Sequence, residues 1–144
     1  MADAPARGYA IDELSVGMSA TYEHLVTQAD IDAFAAVSGD RNPVHLDENY
    51  AKTTRFKGRI AHGMLGASYI STAIASKLPG PGSVYLAQSL AFKAPVRPGD
   101  KLVAVLTVAD VVADKGRVVL KTQCRVGETV VIDGEATVLV PRQN

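Results

Sequence analysis

Only one cysteine, Cys124, occurs in the 144 residues. An intrachain disulfide framework is excluded, and a reducing compartment fits that usage. Charge of one sign is not in surplus either, because 15 Lys and Arg balance 15 Asp and Glu. The balance argues against nucleic acid as the main partner, which would call for a basic excess. The stretch from Met1 to Ala10 has no apolar run of the secretory kind, and no uncharged segment is suited to spanning a bilayer. The end, Pro141-Arg142-Gln143-Asn144, is not a peroxisomal address. Internal repeats and low-complexity segments are missing. Together these absences predict a soluble cytoplasmic protein, with neither membrane nor nucleic acid as partner, folded as one domain over residues 1–144.

What is present is 47% hydrophobic residues, enough for a sizeable core, and a readable order of elements. Met1 to Gly8 reads as a frayed start. From Val16 a strand-like run follows, in which Tyr22, His24 and Val26 alternate with Thr21, Glu23 and Leu25. Thr27-Gln28-Ala29-Asp30 has capping-box spacing and opens a short amphipathic helix through Ile31, Phe34, Ala35 and Val37. Asp47 caps a second short helix, through Tyr50-Ala51 to about Thr53. Gly63 to Leu78 is the long helical candidate, without formal charge until Lys77 and rich in Gly, Ala and Ser, as a buried helix would be. Pro79-Gly80-Pro81-Gly82 stops it. Beyond lie strands at Val84–Phe92, with Val84, Leu86, Leu90 and Phe92 on one face, at Leu102–Val108, covered on both faces, at Val118–Val126 and at Val130–Val140, interrupted at Asp133-Gly134. The phase of the third places Cys124 in the core. One buried helix beside a run of antiparallel strands is an α+β architecture, and its open sheet edge invites pairing across a two-fold axis.

The chain is organised around Ser38-Gly39-Asp40-Arg41-Asn42-Pro43-Val44-His45. Gly39 permits a left-handed backbone, and Asn42-Pro43 forces a turn. Asp40 and His45 therefore hang from one stiff bend, where a carboxylate and an imidazole can share a water molecule and move a proton. The plainer reading is a helix C-cap followed by an Asx-turn, with His45 merely polar. A second stretch, Ile60-Ala61-His62-Gly63-Met64, shifts the balance. Gly63 begins the buried helix, where unpaired N–H groups and a partial positive charge gather. A ligand can approach its backbone closely, and that amide would stabilise the negative charge of an enolate. Tight packing is the alternative use of this glycine. His62 orients the loop, caps the helix, or joins the chemistry.

The run from Phe34 to Val37-Ser38-Gly39-Asp40-Arg41-Asn42-Pro43-Val44-His45, followed after five more residues by Ala51, resembles the hydratase-2 motif of the MaoC-like family of (R)-specific enoyl-CoA hydratases. Ile60-Ala61-His62-Gly63-Met64-Leu65 is similar to that family's entry into its central helix. The run Gln88-Ser89-Leu90-Ala91-Phe92-Lys93-Ala94-Pro95-Val96-Arg97-Pro98-Gly99-Asp100 is similar to its later strand and turn. The likeness extends over about residues 14 to 140, and its layout is that of the short bacterial members that supply hydroxyacyl-CoA for polyester (polyhydroxyalkanoate) synthesis. It implies a hot-dog fold, an antiparallel sheet wrapped around a long central helix with a short helical overhang carrying the active site, and a homodimer. Asp40 and His45 would activate the water that adds across a trans-2-enoyl thioester, Asn42 would brace the bend, and the Gly63 N–H would polarise the carbonyl. Ser71 is the candidate second partner of Asp40, with His62 supporting. No metal and no redox cofactor is implied, coenzyme A entering only as part of the substrate.

Bulky candidates for the acyl pocket are Tyr50, Phe56, Met64, Leu65, Tyr69 and Val84, each of which also suits a core. Arg55, Lys57, Arg59, Lys93 and Arg97 would meet either CoA phosphates or an acidic acyl carrier protein, or form an ordinary solvated face. The rival functions are a 3-hydroxyacyl dehydratase acting on acyl carrier protein, a hot-dog thioesterase, and a non-catalytic acyl-thioester binding protein.

Overall fold

A computed structural model describes residues 4–141; the first three residues of the expected frayed start and the last three of the chain lie outside them. The described part of that start is tied down. Arg7 pairs with Glu13 at 2.7 Å, and the Tyr9 amide donates to the Pro79 carbonyl at 2.7 Å.

Five strands form one antiparallel sheet: β1 (Ser19–Leu25), β2 (Val84–Phe92), β3 (Lys101–Val112), β4 (Arg117–Val126) and β5 (Thr129–Leu139), in the spatial order β1-β3-β4-β5-β2. Four helices precede β2: α1 (Gln28–Ser38), α2 (Pro43–Leu46), α3 (Glu48–Ala51) and α4 (Gly63–Ser76). α4 packs against one face of the sheet and reaches all five strands. Its Ile70, Ala73 and Ile74 join Leu102, Ala104 and Leu106 of β3, Val118, Leu120 and Cys124 of β4, and Ala136 and Val138 of β5 in one core. Each fully buried Leu or Ile there contributes roughly 1.5–3 kcal/mol over an exposed one. Small residues let helix and sheet close up. A Cβ on Gly66 would meet Ile132 at 2.9 Å, so glycine sets that spacing.

This is the hot-dog arrangement, with the helix shorter than the sequence suggests. α4 has 14 residues, and the Leu78 and Gly80 amides turn back onto Ala73 and Ile74 instead of prolonging it. Three other expectations change. β5 runs unbroken through Asp133-Gly134, because a Cβ at Gly134 would sit 1.9 Å from the Ser89 carbonyl of β2; the glycine marks a close strand approach, not a break. β3 is covered on one face only, with Leu102, Ala104 and Leu106 buried and Val103 and Val105 half-buried. β2 does not hold the single alternating face expected of it. A register shift between Tyr85 and Ala87 breaks its phase, and Val84, Leu86 and Phe92 remain 48%, 44% and 53% exposed. β2 is thus an apolar edge strand.

Candidate active site

The corner that joins α1 to α2 is built residue by residue from local hydrogen bonds. α1 starts at a reciprocal box, in which the Thr27 hydroxyl accepts from the Asp30 amide and the Asp30 carboxylate from the Thr27 amide. It ends where Gly39 turns left-handed, φ 82°, its amide on Ala35 O. Three side chains then carry the bend in relay. Ser38 Oγ accepts from the Asp40 amide at 3.1 Å, Asp40 Oδ1 from the Asn42 amide at 3.2 Å, and Asn42 Oδ1 from the Val44 amide at 3.3 Å. These are the Asx and Ser turns that compete with helix and sheet. Asn42 thereby caps α2, a turn the sequence reading took only as a bend, and Pro43 fits its first position.

α2 carries His45 inward until it is 8% exposed. Its Nδ1 lies 2.8 Å from the Ile60 carbonyl. A carbonyl only accepts, so Nδ1 holds the proton and Nε2 presents a lone pair. Burial lowers the His45 pKa from its usual value; proximity to His62 adds to the shift, while the Ile60 bond and Asp40 oppose it. A neutral imidazole is the form that accepts a proton from water.

His62 sits immediately before α4 and is 3% exposed. Its Nε2 donates to the Asp40 main-chain carbonyl at 2.9 Å. Its ring stacks on His45, centroids 3.8 Å apart and planes 26° from parallel, and Phe34 covers it at 4.9 Å. Its Nδ1 is buried without a partner among the described residues. Gly63, next along, has its amide in the first turn of α4, where no intrahelical acceptor exists. The same glycine also answers a packing need, since a Cβ there would lie 2.7 Å from the Phe92 ring.

Asp40, His45, His62 and Gly63 open onto one cleft of about 410 Å³, shared with Arg55, Phe56, Met64, Phe92, Lys93 and Ile132 among others. Phe92, Ile132 and Gly66 were not singled out from the sequence as lining a site; the run around Phe92 carried a signal, but nothing local shows that β5 brings Ile132 beneath it. The other sequence candidates lie elsewhere. Leu65 and Tyr69 belong to the core, Tyr69 stacking on His24 at 4.5 Å, with burial pushing its hydroxyl pKa up to about 12. Tyr50 is exposed on α3 and Val84 opens β2. Ser71 lines a second groove with Phe34, Met64, Tyr85 and Leu90, and no hydrogen bond within the chain joins it to Asp40. Of the basic candidates, Arg55 and Lys93 reach the cleft. Arg59 is paired with Glu48 at 2.9 Å, Arg97 donates to the Phe56 carbonyl, and Lys57 sits exposed at φ 63°. Cys124 is buried, donates to the Gly66 carbonyl, and has its pKa raised to about 12 by burial, conditions that make a poor nucleophile.

Asp40, His45 and His62 each offer a donor atom within 4.8 Å of the others. A metal bond requires the ion to lie near the plane of each imidazole, about 2.1 Å from its nitrogen. Two planes stacked 3.8 Å apart and 26° from parallel do not meet that close to either ring. The donor set therefore does not fit an ion held by both histidines.

Comparison with known proteins gives this geometry a family. The profile described as MaoC like domain matches residues 14–131. An (R)-specific enoyl-CoA hydratase of Rhodospirillum rubrum is 50% identical over 130 residues, 90% of each chain. A 3-hydroxybutyryl-CoA dehydratase of Methylorubrum extorquens is 43% identical over 132 residues, 92% of this chain and 84% of the relative. The solved structure of an unliganded R-hydratase from Pseudomonas aeruginosa superposes with a TM-score of 0.90 at 46% identity, covering 99% of this chain and 90% of that one. Match, identity and superposition extend over nearly the whole chain, and the chain belongs to the MaoC-like family.

Proposed function

We propose that this protein is an (R)-specific enoyl-CoA hydratase, a hydro-lyase that reversibly adds water across a trans-2-enoyl-CoA to give the (R)-3-hydroxyacyl-CoA. The observation that carries the reading is the exposure of the Asp40 carboxylate and the unprotonated Nε2 of His45 to one cleft beside the first amides of α4. A water held between carboxylate and imidazole loses a proton as its oxygen attacks C3. The thioester carbonyl, accepting from the Gly63 N–H, takes the developing enolate charge. The proton returns to C2 from the same face, because both groups stand on one side of the substrate. The thioester itself acidifies C2, so the residues present suffice for every step.

Arg55 and Lys93 at the cleft suit the phosphates of coenzyme A, and Phe56 and Met64 its acyl side. The exposed apolar edge of β2, with Met64 55% exposed on α4, supports a homodimer paired through that face, in which Ser71 of one chain stands near the partner. We take residues 1–144 as a single such domain. Among the described residues no helix is long and apolar enough to cross a membrane, and the composition suits the cytoplasm.

The test is hydration of crotonyl-CoA, and of the same acyl group on acyl carrier protein, by wild type and by Asp40→Asn and His45→Gln. Turnover of the CoA thioester by wild type, with both variants folded and inactive, is expected. Retained hydration in either variant contradicts the roles assigned, and preference for the carrier protein moves the substrate to that class.

A further inference from the structure

His62 is the buried polar side chain that touches both halves of the corner, through its hydrogen bond to the Asp40 carbonyl and its stacking on the His45 ring. We propose that His62 is a positioning residue for the hydration, holding the Asp40 main chain and the plane of the His45 imidazole in one register. The proposal rests on the reading of Asp40 and His45 as the water-activating pair.

Asp40 follows a left-handed glycine in a fully exposed stretch, residues 38–43. Its bond to Asn42 stays within the bend, and its bond to Ser38 reaches only the last residue of α1. The bond from His62 arrives from α4, which is fixed in the core, and so ties the loop to the rigid part of the fold. For His45, the Ile60 bond fixes one ring atom, and rotation about that bond is stopped by the stacked ring of His62. Together the two contacts aim Nε2. A misplacement of about 1 Å at a reacting group can cost on the order of 100-fold in rate.

His62 Nε2 donates, because the Asp40 carbonyl only accepts, and the buried Nδ1 has no partner among the described residues. The groups facing His45 are then Asp40 from its own corner, His62 from the start of α4, and Arg55 and Lys93 across the cleft. The His62 ring covers one face of His45 from water, and that burial lowers the His45 pKa. Removing the ring therefore raises the His45 pKa.

Two variants separate the contacts. His62→Phe keeps a stacking ring and loses the bond to Asp40; His62→Gln keeps an N–H donor and loses the ring. Both are expected to lower kcat by about 10- to 100-fold with KM little changed. His62→Gln is expected to move the acid limb of the kcat/KM profile to higher pH further than His62→Phe does. The His45 imidazole, followed by ¹⁵N NMR without substrate, should titrate higher in the same order. Folded variants with wild-type kcat and an unmoved His45 titration overturn the proposal, and so does a loss confined to KM or to the unfolding midpoint. The titration needs no turnover. A wild type that fails to hydrate enoyl-CoA would defeat the hydratase reading, while the NMR result still decides whether His62 governs His45.

Discussion

The β3–β4 core and the Asp40–His45 corner are made of opposite materials. In the core Leu102, Leu106, Leu120 and Val118 are fully buried, and their backbone polar groups are used up in the ladder between strands. In the corner the backbone is bonded to the side chains of Ser38, Asp40, Asn42 and His62, and the carboxylate of Asp40 faces solvent. The core spends its residues on stability and leaves no reactive group; its one thiol is buried and held protonated. The corner contributes little burial and presents unpaired acceptors. The difference teaches that stability and chemistry are largely separable here, the corner being joined to the core through α1, the start of α4 and the hydrogen bonds of Ile60.

Substitutions that touch one region and not the other sharpen this contrast. The largest effect belongs to the corner: Asp40→Asn or His45→Gln should lower kcat/KM by about 10²–10⁴-fold, while circular dichroism and the urea midpoint stay near wild type. The reverse pattern is expected of Leu120→Ala, which should cost about 2–5 kcal/mol in urea unfolding and leave kcat per folded molecule unchanged. A core variant that loses kcat while still folded would break the separation. Gly63→Ala lies on the boundary. Its methyl meets the Phe92 ring, so it should cost about 1–3 kcal/mol of stability and also lower kcat. Phe92→Ala in the same chain should restore the stability and show coupling in a double-mutant cycle.

A smaller effect concerns pH. The folded pKa of His45 lies below its ordinary 6.5, so the neutral form is favoured by folding. Its contribution to stability is full above about 6.5 and is lost as pH falls through the folded value. Activity should hold below pH 6.5 for the same reason, and His45→Gln should flatten that part of the stability curve. Smallest is Thr27→Ala, which removes the cap of α1 and should cost about 1 kcal/mol with no change in the acid limb.

The two regions also differed in how far the sequence revealed them. The corner is local, so its parts were readable: the Thr27 box, the left turn at Gly39, the Asn42-Pro43 bend and the cap at Asp47 all depend on neighbours within four residues. The strands were readable in extent, and β2 was read to the residue. Their environment was not. Whether Val84 and Leu86 are buried depends on β2 falling at the sheet edge, a fact of pairing with β5. Gly134 read as a break because its reason, the Ser89 carbonyl, lies 45 positions away in the chain. Ile132 reaches the cleft through the same pairing. Leu65 and Tyr69 shared helical spacing with pocket candidates, but which side of α4 faces the sheet is settled by packing, and both turned inward. His62 was visible as a polar residue near Gly63; its stacking on His45 needed the fold that brings residue 45 under residue 62.

The central claim is that one carboxylate and one imidazole deliver water to a single face of an enoyl thioester. It is tested most directly by running crotonyl-CoA with the purified protein in D₂O and analysing the product by chiral chromatography and NMR. The account predicts (R)-3-hydroxybutyryl-CoA bearing one deuterium at C2, placed on the same face as the new hydroxyl. An (S) product, deuterium on the opposite face, or release of free thiol in place of hydration would contradict it.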